Sequence, residues 1–114
     1  MGELEKYWLT EIDAVLESTF MYQLHECCFF DKIGFYRLVS NANKLADYYA
    51  NFGKTENYRS VTSGVIDCFS YIMLMFYCHL EPNDVFVIEN YQDIKDEIPS
   101  YYDDMRIAIR KLII

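Results

Sequence analysis

The sequence predicts an all-α protein, a compact bundle of four or five mostly antiparallel helices in a single domain spanning residues 1–114. Apolar residues recur at steps of three and four along most of the chain, which is the spacing of one face of a helix. Gly53, Pro82 and Pro99 divide this pattern into segments. Because the connections are short, consecutive helices are expected to pack as antiparallel neighbours. With 114 residues and 53% hydrophobic residues, the chain can bury one core.

The first two predicted helices are amphipathic. The first is expected to be unusually long and to break or bend between Phe29 and Gly34. Asp31 is placed to cap the second helix, and Gly53 ends it. The residues expected to face the core are Leu4, Trp8, Ile12, Val15, Leu16, Thr19, Phe20, Leu24 and Cys27 in the first helix, then Phe35, Leu38, Val39, Ala42, Leu45, Ala46, Tyr49 and Phe52 in the second.

A nearly continuous apolar run from Val61 to Leu80 predicts the central helix of the bundle. Thr55, Asn57 and Ser60 are each available as its N-cap, and Pro82 stops it. A membrane span is the weaker interpretation, because the run has fewer than twenty consecutive apolar positions and contains an acid and a histidine. Being apolar nearly all round, this helix should be covered within the monomer or by a second copy.

The last third of the chain predicts two more helices. VFVIENYQDIKDEI has apolar residues at helical spacing, although Val85 to Ile88 would also suit a short strand. Pro99 interrupts this segment, and Ser100 is expected to cap the final helix. The core face of that helix is expected to consist of Tyr101, Met105, Ala108, Ile109 and Leu112.

Asp67 lies near the middle of the apolar run and must face water, a partner or a pocket, because an isolated buried charge is too costly. The favoured interpretation is structural, with Ser63 and Tyr71 donating hydrogen bonds to Asp67 or with Arg37 or Arg59 paired to it. The competing interpretation is a ligand site on a stripe of small and polar residues. That stripe consists of Ser60, Ser63, Gly64, Asp67, Ser70 and Tyr71.

Composition limits the partners and the compartment. A formal net charge of −8 disfavours binding to nucleic-acid phosphates or to an anionic membrane. The acidic start, with spaced apolar residues, does not resemble a signal peptide, so we expect a cytoplasmic protein, located in the host cytoplasm if the chain comes from a phage or virus. The four cysteines lie among aromatic residues in predicted helices and are expected to be free thiols.

Catalytic and metal signatures are incomplete. A zinc site would have to combine Cys27, Cys28, Cys78 and His79, but adjacent cysteines point to different sides of a helix and no CxxC spacing is present. His25 and Glu26 begin like a zincin helix, yet the position of the second histidine holds a phenylalanine. Cys78 and His79 are also poorly placed as a nucleophile and base. We therefore predict no catalytic residues, no metal and no cofactor, and favour a non-enzymatic role.

Acidic residues are concentrated between Glu81 and Asp104, where Lys95 is the only basic residue. Such a segment with interspersed tyrosines suits the capture of a basic protein surface, as inhibitors and immunity proteins do. It could also serve only as a solvated face that keeps the protein soluble. A homodimer is a further expectation, because the chain is rich in aromatic residues. The predicted partner-binding residues are Asp84, Glu89, Asp93, Asp96, Glu97, Tyr101, Tyr102, Asp103 and Asp104.

Two segments carry a resemblance to a known family. SGVIDCFSYIMLMF resembles a helix of the all-α nucleoside triphosphate pyrophosphatases, the MazG and dimeric dUTPase-like group, in which an E-x-x-D pair precedes apolar residues. NANKLADYYANF is similar to the preceding helix of that family with its E-x-x-E pair. The resemblance implies a nucleotide site holding Mg²⁺ on facing helices, here at Asp47 and Asp67. Lys44 and Gly64 occupy the positions of the other two acids, so catalysis itself is in question.

Overall fold

The computed structural model describes residues 2–114, and 76% of the chain is helical. No strand occurs among the described residues, which confirms the all-α prediction. A single 3-10 turn, Lys95–Glu97, joins the last two helices. The helices are α1 Glu3–Asp13, α2 Phe20–Cys27, α3 Lys32–Phe52, α4 Tyr58–Leu80, α5 Tyr91–Ile94 and α6 Ile98–Ile113.

Helices α3 and α6 run parallel and form the most extensive helix pair. Two ion pairs mark their common direction. The Nζ atom of Lys32 lies 3.3 Å from a carboxylate oxygen of Glu97 near the start of both helices, and the Nζ atom of Lys111 lies 3.6 Å from Asp47 near their ends. This arrangement places the first turn of α3 beside the acidic segment.

Helix α4 runs opposite to α6. The hydroxyl of Tyr58, at the start of α4, donates to the carbonyl oxygen of Leu112 at 2.6 Å, and the ring of Phe76 near the end of α4 lies 6.4 Å from the ring of Tyr101. Helices α3 and α4 are also antiparallel, but the closest backbone packing of α4 is with α1 and α6. The helices α1, α3, α6 and α4 therefore form a ring with α3 and α4 at opposite corners.

The apolar run forms helix α4 as predicted, with Asn57 at its N-cap position, but α4 lies at a corner of the ring instead of at the centre of the bundle. It is the one described helix that is long and apolar enough to cross a membrane, and 56% of its most apolar stretch is buried in the bundle. Contacts with α1 and α6 account for this burial. The helix has an exposed side as well, which includes Leu74 and Tyr77.

The predicted long first helix is wrong. Helix α1 ends at Asp13, Ala14 adopts a left-handed conformation with φ of 52°, and α2 begins only at Phe20. Both carboxylate oxygens of Glu11 accept hydrogen bonds from the start of α2, so the chain turns back on itself there. Val15 and Leu16 fit the helical spacing but lie exposed in the connection.

The segment after α4 also differs from the prediction. Residues 84–88 form neither the helix nor the alternative strand, and Val85 is 97% exposed. Helix α6 begins at Ile98 instead of after Ser100, because Pro99 lies in the first turn, where its missing N–H group costs nothing. The predicted core positions of α6 are correct, with Met105 and Ala108 fully buried.

Candidate functional site

The acidic segment lies mainly on the surface, in the connection from α4 to α6. Asp84, Glu89, Asp93 and Asp96 are exposed, and none of them forms an ion pair with any of residues 2–114. The side chain of Asp84 accepts a hydrogen bond from the backbone N–H of Phe86 at 2.8 Å, which stabilises the turn that follows α4. These four residues therefore present negative charge to solvent, as the sequence predicts.

Three hydrogen bonds attach the connection from α4 to α6 to the segment between α2 and α3. The side chain of Asn90 accepts from the N–H of Phe30 at 2.9 Å and donates to the carbonyl oxygen of Phe30 at 2.8 Å. The N–H of Glu89 donates to the carbonyl oxygen of Cys28 at 2.7 Å. Because the ring of Phe30 is fully buried, Asn90 ties the acidic connection to the core.

His79 provides a second attachment. Its Nδ1 accepts a hydrogen bond from the N–H of Ile88 at 2.9 Å, so the ring carries its proton on Nε2. The same ring stacks on Tyr91, with the ring centroids 3.9 Å apart. The hydrogen bond at the ring edge and the stacking on one ring face hold the connection against the end of α4.

Replacing Asn90 with Ala should loosen the acidic connection without unfolding the bundle. Both hydrogen bonds to Phe30 would be lost, and we expect a cost of about 1–2 kcal/mol in the free energy of unfolding. Amide hydrogen exchange should speed up in residues 88–91 and remain slow in α3 and α6. Asn83→Ala in the same connection is the control, because Asn83 is exposed and, within residues 2–114, its side chain hydrogen-bonds only to Glu81. Equal exchange rates in both variants would contradict this role of Asn90.

Two predicted contact acids are already engaged within the chain. Glu97 accepts from Lys32 at 3.3 Å and from the hydroxyl of Tyr101. These two donors, Tyr101 first, hold the pKa of Glu97 below its usual value. Asp103 lies 3.6 Å from Arg106 one turn along α6. Glu97 and Asp103 are thus less available to a partner than the unpaired carboxylates of the connection.

Tyr101 is not a surface residue, and the prediction that it contacts a partner is wrong. It is 1% exposed and packs in a cluster with the rings of Phe30, Phe35 and Phe76. Burial, together with the neighbouring Glu97 carboxylate, raises its pKa well above the usual value. Tyr102, by contrast, is partly exposed. The core spacing of Tyr101 in α6 is what determines its position.

A cleft with a volume of 530 Å³ opens where the acidic connection meets the start of α3. Residues 29–33, which lead from α2 into the first turn of α3, form one wall, and Asn90 and Asp93 at the start of α5 form the other. Phe29 and Ile33 bring exposed apolar surface to one wall, and Asp93 brings a carboxylate to the other. The lining residues are Phe29, Phe30, Asp31, Lys32, Ile33, Asn90 and Asp93.

Asp67 faces water, and the favoured prediction of a structural role, with Ser63 and Tyr71 or an arginine as its partner, is wrong. It is exposed and forms no hydrogen bond or ion pair with any of residues 2–114. Gly64, three residues earlier, is buried against Ile12, so that an added Cβ would lie 2.1 Å from the Ile12 Cδ1 atom. Two side chains three residues apart on a helix point in directions about 60° apart around its axis. The edge of the α1–α4 contact passes between the positions of Gly64 and Asp67.

The other acid of the alternative nucleotide site, Asp47, lies on α3 and is exposed, 3.6 Å from the Nζ atom of Lys111. Asp47 and Asp67 lie on helices at opposite corners of the bundle. Within residues 2–114, no group of three or more His, Cys, Asp or Glu side chains is placed to hold a metal ion. Binding of Mg²⁺ and a nucleotide at these two acids stays a prediction.

Sequence patterns do not identify the two buried acids of α1, Glu5 and Glu11. Glu5 accepts from the hydroxyls of Tyr49 at 2.6 Å and Thr55 at 2.7 Å. Burial raises the pKa of Glu5, but these hydroxyls and the N–H of Gly2 donate to its carboxylate and keep its pKa below the usual value. This contact joins α1 to the end of α3 and is structural.

The four cysteines form no disulfide among themselves. Cys68 is buried, and burial raises the pKa of its thiol to about 12. Cys78 and Cys28 are half-buried, while Cys27 is exposed at the end of α2. A thiol with so high a pKa as that of Cys68 is a poor nucleophile at neutral pH.

No family model, no curated protein and no solved structure matches this chain. Of the residues that line the cleft, only Asp93 belongs to the predicted contact set, and those not predicted are Phe29, Phe30, Asp31, Lys32, Ile33 and Asn90. Asn90 contacts Phe30 across 60 residues of sequence, so no local pattern reveals it. The exposed pair Phe29 and Ile33 had one available signal, an apolar run at a helix boundary where the chain must turn.

Proposed function

We propose that this chain is a non-catalytic cytoplasmic interaction protein that binds a basic surface of another protein, as an inhibitor or immunity protein does. The observation that carries the proposal is a set of four exposed carboxylates, on Asp84, Glu89, Asp93 and Asp96, with no cation paired to them among residues 2–114. Lys95 is the only basic residue in the segment. Like charges so close together repel each other, and a cationic partner would relieve that repulsion.

Charge of this kind acts on association before contact is made. A net charge of −8 with a local excess in one segment attracts a basic surface over a distance of about 10 Å at moderate salt. Such steering raises the association rate and disfavours acidic partners. Phosphate-rich ligands, including nucleic acids, are repelled for the same reason.

The attachment of the segment to the core supports a binding role. Asn90 and His79 fix the backbone of the connection, so little conformational entropy needs to be lost when a partner binds. The backbone that carries Glu89 and Asp93 is thus attached to the core next to these two carboxylates.

The test compares two variants of equal net charge. In the first, Asp84, Asp93 and Asp96 become Asn and Glu89 becomes Gln. In the second, four exposed acids outside the segment are changed in the same way. The control acids are Asp13, Asp67, Glu17 and Glu56.

We expect the affinity of the first variant for a defined partner to fall at least about tenfold, while the control variant keeps the wild-type affinity. The partner is identified by cross-linking in the cells that contain the protein, then purified, and its affinity for each variant is measured by calorimetry at low and high salt. Equal loss of affinity in both variants would mean that net charge alone is responsible, and would contradict the proposal.

Thermal melting separates this proposal from the nucleotide alternative. An interaction protein should melt at the same temperature with and without nucleoside triphosphates and Mg²⁺, since neither binds the folded state. A clear rise in the melting temperature that disappears in an Asp47→Asn, Asp67→Asn variant would favour the pyrophosphatase-like interpretation.

A further inference from the structure

The 530 Å³ cleft between residues 29–33 and residues 90–93 joins the acidic segment to an exposed apolar edge. We infer that this cleft binds a short segment of the partner protein in which arginine or lysine flanks a large aliphatic residue. The inference rests on the proposed function and specifies which part of the acidic surface makes the contact. It commits to a protein segment with alternating basic and apolar side chains.

The apolar wall is the first reason. Phe29 is 41% exposed and Ile33 is 72% exposed, although both belong to large apolar residue types. Tyr36, about one turn after Ile33 on α3, is exposed as well. Phe29 and Ile33 provide apolar area inside the cleft that a partner's aliphatic side chain can cover, and Tyr36 lies outside its lining.

The charge of the lining is the second reason. Asp31 and Asp93 stand on opposite walls of the cleft, while the cation in the lining, Lys32, is already paired with Glu97. The cleft is therefore negative overall. Asp31 lies over the first turn of α3, close to Gly34, where the positive end of the helix partly balances its charge. Asp93 lies in the first turn of α5, but that helix has only four residues and its dipole is correspondingly small. Because Asp93 also forms no ion pair with any of residues 2–114, it is the principal anchor for a cation.

The walls are already fixed in position. The two hydrogen bonds between Asn90 and the backbone of Phe30 join the two walls directly. Because the cleft need not be ordered by its ligand, a short segment can bind without the cost of closing a mobile loop. The alternation of apolar and acidic groups on this fixed surface determines the complementary order in the ligand.

A second copy of the chain is a less suitable occupant. One group of exposed basic residues next to an exposed apolar one, Arg110 and Lys111 beside Ile113, lies at the opposite end of the bundle. Lys111 is also paired with Asp47. Contact between opposite ends would be head-to-tail and would produce open chains instead of a closed dimer.

The test uses a labelled peptide with the sequence Gly-Ser-Arg-Leu-Arg-Leu-Arg-Ser-Gly and a second peptide with Ser in place of both Leu residues. Fluorescence anisotropy gives the affinities, and amide chemical shifts of the isotopically labelled protein locate the site. Asp93→Asn is matched by Asp67→Asn, which removes the same charge from an exposed acid outside the cleft. Ile33→Ser is matched by Ile107→Ser, an exposed isoleucine on α6.

We expect the first peptide to shift the amides of residues 29–33 and 90–93, and to bind more tightly than the Ser peptide. Asp93→Asn and Ile33→Ser should each weaken binding about five- to tenfold, and the two controls less than about twofold. No binding, equal losses in the Asp93 and Asp67 variants, or shifts elsewhere would overturn the inference. Self-association in sedimentation runs that Asp93→Asn abolishes would also overturn it, in favour of a second copy.

The captured partner distinguishes failure of the cleft from failure of the proposed function. If Asp93→Asn and Ile33→Ser bind that partner as the wild type does, while the four-acid variant does not, the acidic surface stands and the cleft is wrong. If the four-acid variant also binds normally, both are wrong.

Discussion

Replacing Glu11 with Ala should lower the free energy of unfolding by about 3 kcal/mol, equivalent to a fall of about 10 °C in the melting temperature. Glu11 is 4% exposed, and its two carboxylate oxygens accept from the N–H groups of Phe20 at 3.0 Å and Met21 at 3.1 Å. Without the carboxylate, both N–H groups at the start of α2 lose their acceptor in a buried position. The change can be measured by urea denaturation. Glu17→Ala, an exposed acid six residues later, is the control.

The pH dependence of Glu11 gives a second readout of the same contact. Burial raises the pKa of Glu11, and the hydrogen bonds from Phe20 and Met21 and the charge of Arg37 only partly oppose that rise. With a pKa above the ordinary value of 4.5, the folded state holds the proton more tightly than the unfolded state does. The stability contributed by this group is therefore complete below that value and falls as the pH rises through the folded pKa.

Glu11→Gln keeps the shape of the side chain but cannot titrate. The stability of the wild type relative to Glu11→Gln should therefore be greatest in acidic buffer and decrease towards neutral pH. At neutral pH we expect Glu11→Gln to cost only about 1 kcal/mol, because one oxygen still accepts a hydrogen bond. A difference between the two proteins that does not vary with pH would contradict the raised pKa of Glu11.

Introducing the acid of the E-x-x-D pattern at Gly64 should destabilise the protein severely instead of creating a metal site. Gly64 lies where α1 and α4 approach each other, and an added Cβ would lie 2.1 Å from Cδ1 and 2.7 Å from Cγ1 of Ile12. Gly64→Glu forces both a clash and a carboxylate into this contact, so we expect a loss above about 4 kcal/mol. Thermal melting and circular dichroism measure the effect.

Ser63→Glu is the matched control for Gly64→Glu. It places the same side chain on the exposed side of α4, one residue earlier, and should change stability by less than about 0.5 kcal/mol. Lys44→Glu on α3 should be similarly mild, since Lys44 is exposed. A Gly64→Glu protein that melts like the wild type, and that Mg²⁺ stabilises, would show that α1 and α4 can separate around a metal.

Helix faces that follow from local residue spacing are predicted well, whereas helix ends and connections that depend on distant contacts are not. The core faces of α3 up to Tyr49 and of α6 follow from local spacing, as with Leu38 and Met105, whereas the predicted core position of Phe52 is wrong, since Phe52 is 78% exposed. The end of α1 does not follow from local spacing, because it depends on Glu11, which accepts a hydrogen bond from Phe20 at the start of α2, nine residues later. The local sequence at this point shows only continued apolar spacing. The connection after α4 fails for the same reason, since Asn90 holds it to Phe30.

In the candidate site, too, some features could be predicted from the sequence and others depend on tertiary packing. Exposure of Asp84, Glu89, Asp93 and Asp96 could be predicted, because unpaired charges remain in water. Tyr101 was open to two interpretations, as a core residue by spacing and as a contact residue by composition, and its spacing proves decisive. The apolar half of the cleft could not be predicted, because the exposure of Ile33 depends on what packs beside it.

The parallel pairing of α3 with α6 has a consequence for how the chain is made. Lys32 and Glu97, which mark the beginning of that pairing, are 65 residues apart in sequence. During synthesis, α3 and the apolar α4 leave the ribosome before α6, which packs against both of them, exists. Contacts of such long range also slow folding. Until α6 arrives, the growing chain therefore exposes apolar surface that invites aggregation or a chaperone.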